Sequence, residues 1–283
     1  MLGLAKYPGS KQRVGQRILR CLPPDFDWYV EPFCGNSPFL QPKFRHYLDP
    51  TRKSIWLNDL SVDVFNVLRS LKDDPASFTR DLFARKDRCL TTADTIREFD
   101  LAKTDWIEAD DPAAYLFLRR LAVAQVVLRK RPSRCSISPK YVSPTRDGVT
   151  RNGLLALNQM RMDTAGRIAQ QVDKITNWDY RKVLAALPDN CVAFLDPPYW
   201  TSRIADWYDH IFTQEDHVQL CESLKALDPS RHRFLMTIEI SELSRTLYVL
   251  PGCFHWDTLE VVYSTPRSGT RRIRELMVAN YAF

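Results

Sequence analysis

The chain contains seven cysteines but no C-x-x-C pair. Cys21, Cys34, Cys89, Cys135, Cys191, Cys221 and Cys253 are scattered, several within apolar runs. An odd, dispersed set excludes a closed disulfide framework and a cysteine zinc site, and describes reduced, mostly buried thiols. There is no H-E-x-x-H sequence and no cysteine–histidine cluster, so no metal is expected and the five histidines read as surface or core residues. No run approaches the roughly 20 apolar residues of a membrane span. Lys6, Lys11 and Arg13 are not followed by the apolar stretch of a signal peptide. Internal repeats and low-complexity tracts are missing too. These absences describe a soluble, cytoplasmic protein with no membrane partner.

What is present is a chain of 283 residues, long enough for one large domain or a domain with a sizeable insertion. The net charge of +6 is compatible with a polyanionic partner and is no evidence for one by itself. Residues 1–75 and 172–283 alternate short strands with helices. Trp28-Tyr29-Val30, Ser54-Ile55-Trp56-Leu57, the start of Ile175–Tyr180, Cys191–Leu195 and Phe234–Ile238 read as strands. Thr213 and Asp216 form a capping box ahead of the helix that leads to Phe234. Phe254–Tyr263 and Ile273–Tyr281 form a hairpin around Thr265–Gly269.

Residues 76–171 differ. They carry helical periodicity and no convincing strand. The clearest helix is capped at Asp111-Pro112 and runs through Leu128 to stop at Arg131-Pro132. After it comes a basic stretch with Arg129, Arg131, Arg134, Lys140 and Arg146, which also holds Tyr141. It suits phosphate contacts and base stacking, but taken alone it reads first as a solvated loop. Arg267 and Arg271 make a second basic patch at the hairpin tip.

The organising stretch is Asp196-Pro197-Pro198-Tyr199, which directly follows the apolar strand Cys191–Leu195. In open α/β sheets ligands bind at the carboxyl ends of strands. Each proline fixes its own φ and pushes the residue before it to extended geometry. Asp196 and the Pro197 carbonyl therefore present two acceptors beside an aromatic face, which suits the exocyclic amine of a planar base. An isolated Asp-Pro-Pro-Tyr is better read as a strand-ending turn, so the other motifs decide. Glu31-Pro32-Phe33-Cys34-Gly35 places an acid and a glycine turn after the first strand. Asp59 closes the second strand, where a carboxylate suits ribose hydroxyls or else caps the next helix.

In this order the segments resemble the Dam-like (D12) class of N6-adenine DNA methyltransferases. The resemblance covers nearly the whole chain and is loose over 76–171. It rests on Lys6–Lys11, Val30–Gly35, Leu57-Asn58-Asp59, Asp179-Tyr180, Asp196–Tyr199 and Glu275–Tyr281. It implies a Rossmann-like α/β sheet ending in a β-hairpin, with a mainly helical target-recognition domain inserted at 76–171. It also implies S-adenosylmethionine as cofactor, bound by Tyr7, Lys11, Glu31, Phe33, Gly35, Asp59, Asp179, Tyr180 and Asp196. Glu31 and Lys11 are assigned to the methionyl end, Asp59 to the ribose and Asp179 to the adenine. Asp196, Pro197 and Tyr199 are assigned to catalysis on a flipped base in double-stranded DNA. Arg129, Arg131, Arg134, Lys140, Tyr141, Arg146, Arg267 and Arg271 are the DNA-binding candidates. A cognate restriction enzyme and a monomer or weak dimer in a prokaryotic or phage-infected cell complete the expectation.

Three departures stand out. Asn36-Ser37-Pro38 replaces the usual second glycine, Trp178 replaces a small residue, and Met236-Thr237-Ile238-Glu239 replaces a Ser-Asn-like strand end. No function is carried onto those positions. Methylation of cytosine N4 or of RNA by the same architecture, and an inactive DNA-binding subunit, stand as alternatives.

Overall fold

The computed structural model describes the chain except residues 1, 3, 5–10, 36, 45, 50, 92–94, 123–126, 128, 130–131, 137–156, 201–210 and 266–268. The side chains of residues 12, 38, 91, 134, 262–265 and 269–271 are likewise outside it. Its centre is a seven-stranded sheet in the order β3-β2-β1-β4-β5-β7-β6. The strands are β1 (Trp28–Glu31), β2 (Ser54–Asn58), β3 (Lys174–Thr176), β4 (Cys191–Leu195), β5 (His232–Glu239), β6 (His255–Thr265) and β7 (Gly269–Ala279). β1 to β5 pair in parallel, and β7 runs antiparallel to both β5 and β6. The expected hairpin is therefore β6–β7, and β7 inserts beside β5.

β4 explains why the sequence folds this way. All five of its residues are buried, as a parallel strand covered on both faces requires. Period-2 alternation then divides the core. Cys191, Ala193 and Leu195 face one apolar cluster with Val30, Trp56, Phe234 and Met236. Val192 and Phe194 face the other, with Tyr29, Ile55, Leu57, Leu235 and Met277. Strand order reverses between β1 and β4, since β1 leads outward through β2 to β3 on one side while β4 leads to β5 on the other. At such a switch point the carboxyl ends of neighbouring strands open a crevice. Glu31 ends β1, and Asp196 follows β4.

The helices are α1 (Gly15–Arg20), α2 (Val62–Asp73), α3 (Pro75–Thr91), α4 (Thr95–Ala109), α5 (Pro112–Leu121), α6 (Gln159–Gln170), α7 (Tyr180–Ala185), α8 (Gln214–Lys225) and α9 (Glu242–Tyr248). α2 packs on α5 and α6, and α3 packs on α4, α5 and α6. Phe78, Leu82, Phe99, Trp106, Phe117 and Met162 from these helices belong to the same buried cluster as Tyr29 and Leu57 of the sheet. The helical segment therefore shares a core with one sheet face.

Two local expectations were sharpened. Thr213 and Asp216 do form a capping box at the start of α8. The helix begun at Asp111 is shorter than the pattern predicts: it ends at Leu121, and Ala122 turns extended at φ −64°, ψ 153°.

α1 lies tight against the segment behind it. A Cβ on Gly15 would stand 2.7 Å from Phe44 Cζ and 3.0 Å from Phe39 Cε1. Gly15→Val is expected to lower stability by about 1–3 kcal/mol through overpacking, read as a drop in denaturation midpoint. An unchanged midpoint would show that Phe39 and Phe44 yield freely.

Candidate active site

Asn58, the last residue of β2, holds the crevice in shape. Its side-chain amide donates to the carbonyls of Pro32 at 2.8 Å and Trp178 at 2.9 Å. Its oxygen accepts from the Trp178 N–H at 2.9 Å and the Thr176 hydroxyl at 2.7 Å. One buried carboxamide thus ties together the ends of β1, β2 and β3. Loss of any partner would leave a buried polar group unmatched, so this corner is rigid.

On the β1 side, Gly35 has φ +46°, and its N–H donates to Asp59 at 2.8 Å. Asp59 also accepts from the Ser61 N–H at 2.9 Å, so it closes the turn and the start of α2 together. Ser37 stands where the resemblance expects a second glycine. Its φ of +37° keeps the left-handed backbone a glycine would adopt freely. Its N–H donates to the Cys34 carbonyl at 2.6 Å and its hydroxyl to Glu31 at 2.9 Å. The turn therefore survives the substitution, and the serine adds a donor to the buried acid. Burial pushes the Glu31 carboxyl up to about 7, and the charge of Asp196 acts in the same direction against the pull of the Ser37 hydroxyl.

An aromatic wall flanks this turn. Phe33 lies 5.4 Å from Tyr180 and 5.7 Å from Phe212, ring centre to ring centre. Phe212 was not foreseen, since nothing local marks it. Asp179 caps α7 through the Arg181 N–H at 2.9 Å, and the Arg181 side chain pairs with it at 2.9 Å. This acid is engaged locally but stays at the crevice edge beside Tyr180.

The β4 side holds the densest polar cluster. The Lys11 ammonium donates to Asp196 Oδ1 at 2.7 Å and to the Tyr199 hydroxyl at 2.8 Å, and stands 3.5 Å from Glu275. Tyr199 in turn donates to Glu275 at 2.6 Å. Thr237 donates to the same Oδ1 of Asp196 at 3.0 Å. Lys11, expected at the methionyl end beside Glu31, is instead directed at the Asp-Pro-Pro-Tyr segment. Lys11 and Glu275 are each 1% exposed, whereas the Asp196 side chain retains 23%. Asp196 Oδ1 is thus held by two donors, while its second oxygen takes no hydrogen bond from the described residues.

Burial holds the Asp196 carboxyl above the usual carboxylate range. Lys11 pulls it down and Glu275 pushes it up. For Lys11, burial opposes the charge, but Asp196 and Glu275 together outweigh it and hold the ammonium above its ordinary value. Two carboxylates therefore share one cation.

Thr237 and Glu275 were missed as site residues. Their signal lay in strand parity. Thr237 lies two residues from Leu235, and Glu275 two from Met277, so both point to the sheet face those residues occupy.

Arg129 departs from its expected place at phosphate. Its guanidinium pairs with the buried Asp63 and, at 2.6 Å, with Asp110, and lies over Trp106. It joins α2 to α4 as a structural ion pair. Tyr7, Arg131, Lys140, Tyr141, Arg146 and Arg267 lie outside the described residues, as do the side chains of Arg134 and Arg271. Among the described residues no group of His, Cys, Asp and Glu is placed to hold a metal, and no helix is long and apolar enough to cross a membrane.

A family model described as D12 class N6 adenine-specific DNA methyltransferase matches residues 7–265, from the N-terminal motif through the β6 strand. The chain belongs to this family. It is a DNA methyltransferase. The type II methyltransferase M1.LlaDCHI of Lactococcus lactis subsp. cremoris is 21% identical over 287 aligned positions, covering 98% of this chain and 94% of that protein. The rRNA methyltransferase aviRa of Streptomyces viridochromogenes aligns in structure with TM-score 0.41 and 14% identity, over 96% of this chain and 85% of that one.

The raised Glu31 carboxyl gives this methyltransferase a signed pH dependence. The native state binds its proton more tightly than the unfolded chain, so ionising Glu31 costs stability as pH rises from the ordinary carboxylate range through about 7. Glu31→Gln removes that cost while keeping an acceptor for Ser37. The variant is expected to melt higher than the wild type at pH 8 and about equally at pH 4. Equal melting at both pH values would show that Glu31 ionises without penalty.

Proposed function

We propose that the chain transfers the methyl group of S-adenosylmethionine to the N6 amine of an adenine swung out of a DNA duplex, in a specific sequence context. The observation that carries this reading is the asymmetry of Asp196. Lys11 and Thr237 take Oδ1, which leaves the other oxygen as the acceptor for an amine proton beside the Pro197 carbonyl.

The donor set of the crevice fits the cofactor. Buried Glu31 suits an ammonium, Asp59 at the end of β2 suits a ribose diol, and Phe33 and Tyr180 offer faces for a purine, with Asp179 at the edge. When bound, S-adenosylmethionine supplies an electrophilic methyl group on a sulfonium. The residues of this chain do the positioning. An aromatic amine is a poor nucleophile because its lone pair is delocalised into the ring. Two acceptors, Asp196 Oδ2 and the Pro197 carbonyl, would hold its two protons, favour a pyramidal nitrogen and aim the lone pair along one line. Tyr199 would stack on the extruded base, which is out of reach inside a duplex. Orientation and fixed electrostatics then account for most of the rate.

Residues 76–171 are proposed to carry target recognition, with the basic positions Arg131, Arg134, Lys140 and Arg146 meeting phosphate and Tyr141 available for stacking. The proposal extends to Arg267 and Arg271 at the hairpin tip. It also extends to an enzyme acting as a monomer or weak dimer in a prokaryotic cytoplasm, beside a restriction endonuclease of matching specificity.

Labelled-methyl transfer to unmethylated DNA followed by nucleoside analysis tests the reading. N6-methyladenine is the expected product. N4-methylcytosine would transfer the same chemistry to another base, and no label in DNA would overturn the assignment. Asp196→Ala is expected to lower transfer by about 10²-fold or more while cofactor binding persists. Near-wild-type transfer would remove Asp196 from the mechanism. Replacing Arg131 and Arg134 by Ala is expected to weaken DNA binding and flatten the slope of log affinity against log salt by about one to two. An unchanged slope would make that stretch a bystander.

A further inference from the structure

Glu275 has no role in the mechanism above, yet it is the most deeply placed acid of the site. It lies on β7, the one strand that runs against the others, and β7 sits beside β5 with Glu275 paired to Glu239 in register. A buried acid on a central strand is destabilising unless it has partners. Its partners include two site residues, the Tyr199 hydroxyl at 2.6 Å and the Lys11 ammonium at 3.5 Å.

We propose that Glu275 is a positioning residue for methyl transfer: it anchors the Tyr199 ring by its hydroxyl and shares the Lys11 ammonium, so that Asp196 keeps an excess of negative charge toward the amine. The inference rests on the functional reading given above. Its geometry is a triangle of Lys11 Nζ, Tyr199 Oη and Glu275, with Asp196 Oδ1 joined to it through Lys11. Tyr199 is held at both ends, by the chain at Pro198 and by its hydroxyl at Glu275. A ring so fixed can receive a base in one orientation only.

The electrostatic half follows from counting charges. Lys11 next to Asp196 alone would form a neutral pair and weaken Asp196 as an acceptor. With Glu275 sharing the ammonium, the described residues here set two acids against one cation, and Oδ2 of Asp196 takes no donor among them. Among the described residues, the charged and titratable groups around Asp196 are Lys11 ahead of α1, Glu275 on β7, Glu31 on β1 and its own neighbour Tyr199. Thr237 on β5 adds a neutral donor. Glu275 opposes ionisation of Asp196, and Lys11 favours it.

The test is steady-state kinetics of Glu275→Gln across pH, next to Tyr199→Phe and the double variant. Gln keeps the shape and an acceptor for Tyr199 but removes the charge. Expected for Glu275→Gln is a fall in kcat of about tenfold or more, with KM for cofactor and for DNA changed less than about threefold. Asp196 accepts only when ionised, so activity is lost as pH falls through its pKa. Removing the Glu275 charge lowers that pKa and moves the acid limb of the kcat profile to lower pH. Tyr199→Phe is expected to lower kcat without moving KM, and the double variant to lose less than the product of the single losses, because the two groups act as a unit.

A Glu275→Gln enzyme with wild-type kcat, or with an unmoved acid limb, overturns the proposal. If that variant does not fold, wild-type kcat in Tyr199→Phe overturns it equally. A wild-type enzyme that transfers no methyl group at all fails the functional reading itself, and this is seen before any variant is compared.

Discussion

The buried ammonium of Lys11 is the interaction on which the site depends. It lies far from Asp196 and Glu275 in sequence, yet among the described residues it is the cation within reach of both. Without it, two carboxylates would face each other in a low-dielectric crevice, an arrangement that drives a proton onto one of them. With it, one ammonium lies between Asp196 after β4 and Glu275 on β7. The position of Lys11 depends in turn on the short helix behind it, where Gly15 lets the chain approach Phe39 and Phe44 closely. Packing of an apolar corner thus determines whether the charge is delivered.

The opposite wall of the crevice is built from uncharged contacts. Asn58 joins three strand ends through one carboxamide, and the aromatic rings of Phe33, Tyr180 and Phe212 close around the turn after β1. The two walls differ in physical character: one is a charge cluster, the other a hydrogen-bonded clamp with rings packed tilted and edge-on. A sulfonium cofactor between them would meet acids on both sides, Glu31 from β1 and Asp196 from β4. The charge of Asp196 adds to burial in holding the Glu31 carboxyl up.

The helical segment after α2 shares its core with the sheet. Phe117 and Trp106 lie in the same cluster as Leu57 and Phe194. Arg129 contributes here as a structural residue, joining Asp63 to Asp110 across helices. A composition-based reading could not separate this arginine from its neighbours, because a basic stretch looks the same whether a cation meets phosphate or a buried aspartate.

Read by itself, the sequence determined the strands, their ends and the acids placed there. Buried parallel strands leave continuous apolar runs such as Cys191–Leu195, and prolines after a strand leave few conformations for Asp196. Both are local constraints, so both are legible without a fold. It also located the turn of Glu31 and Gly35, but not its outcome at the missing glycine: whether Ser37 can hold a left-handed φ depends on the Cys34 carbonyl and Glu31 being there to bind it. The tertiary structure alone decided the partners. Lys11, Thr237 and Glu275 meet Asp196 because β7 inserts next to β5 and the N-terminal segment lies beside them. Such encounters span most of the chain, and a hydrogen bond between distant residues leaves no periodicity in the sequence of either one.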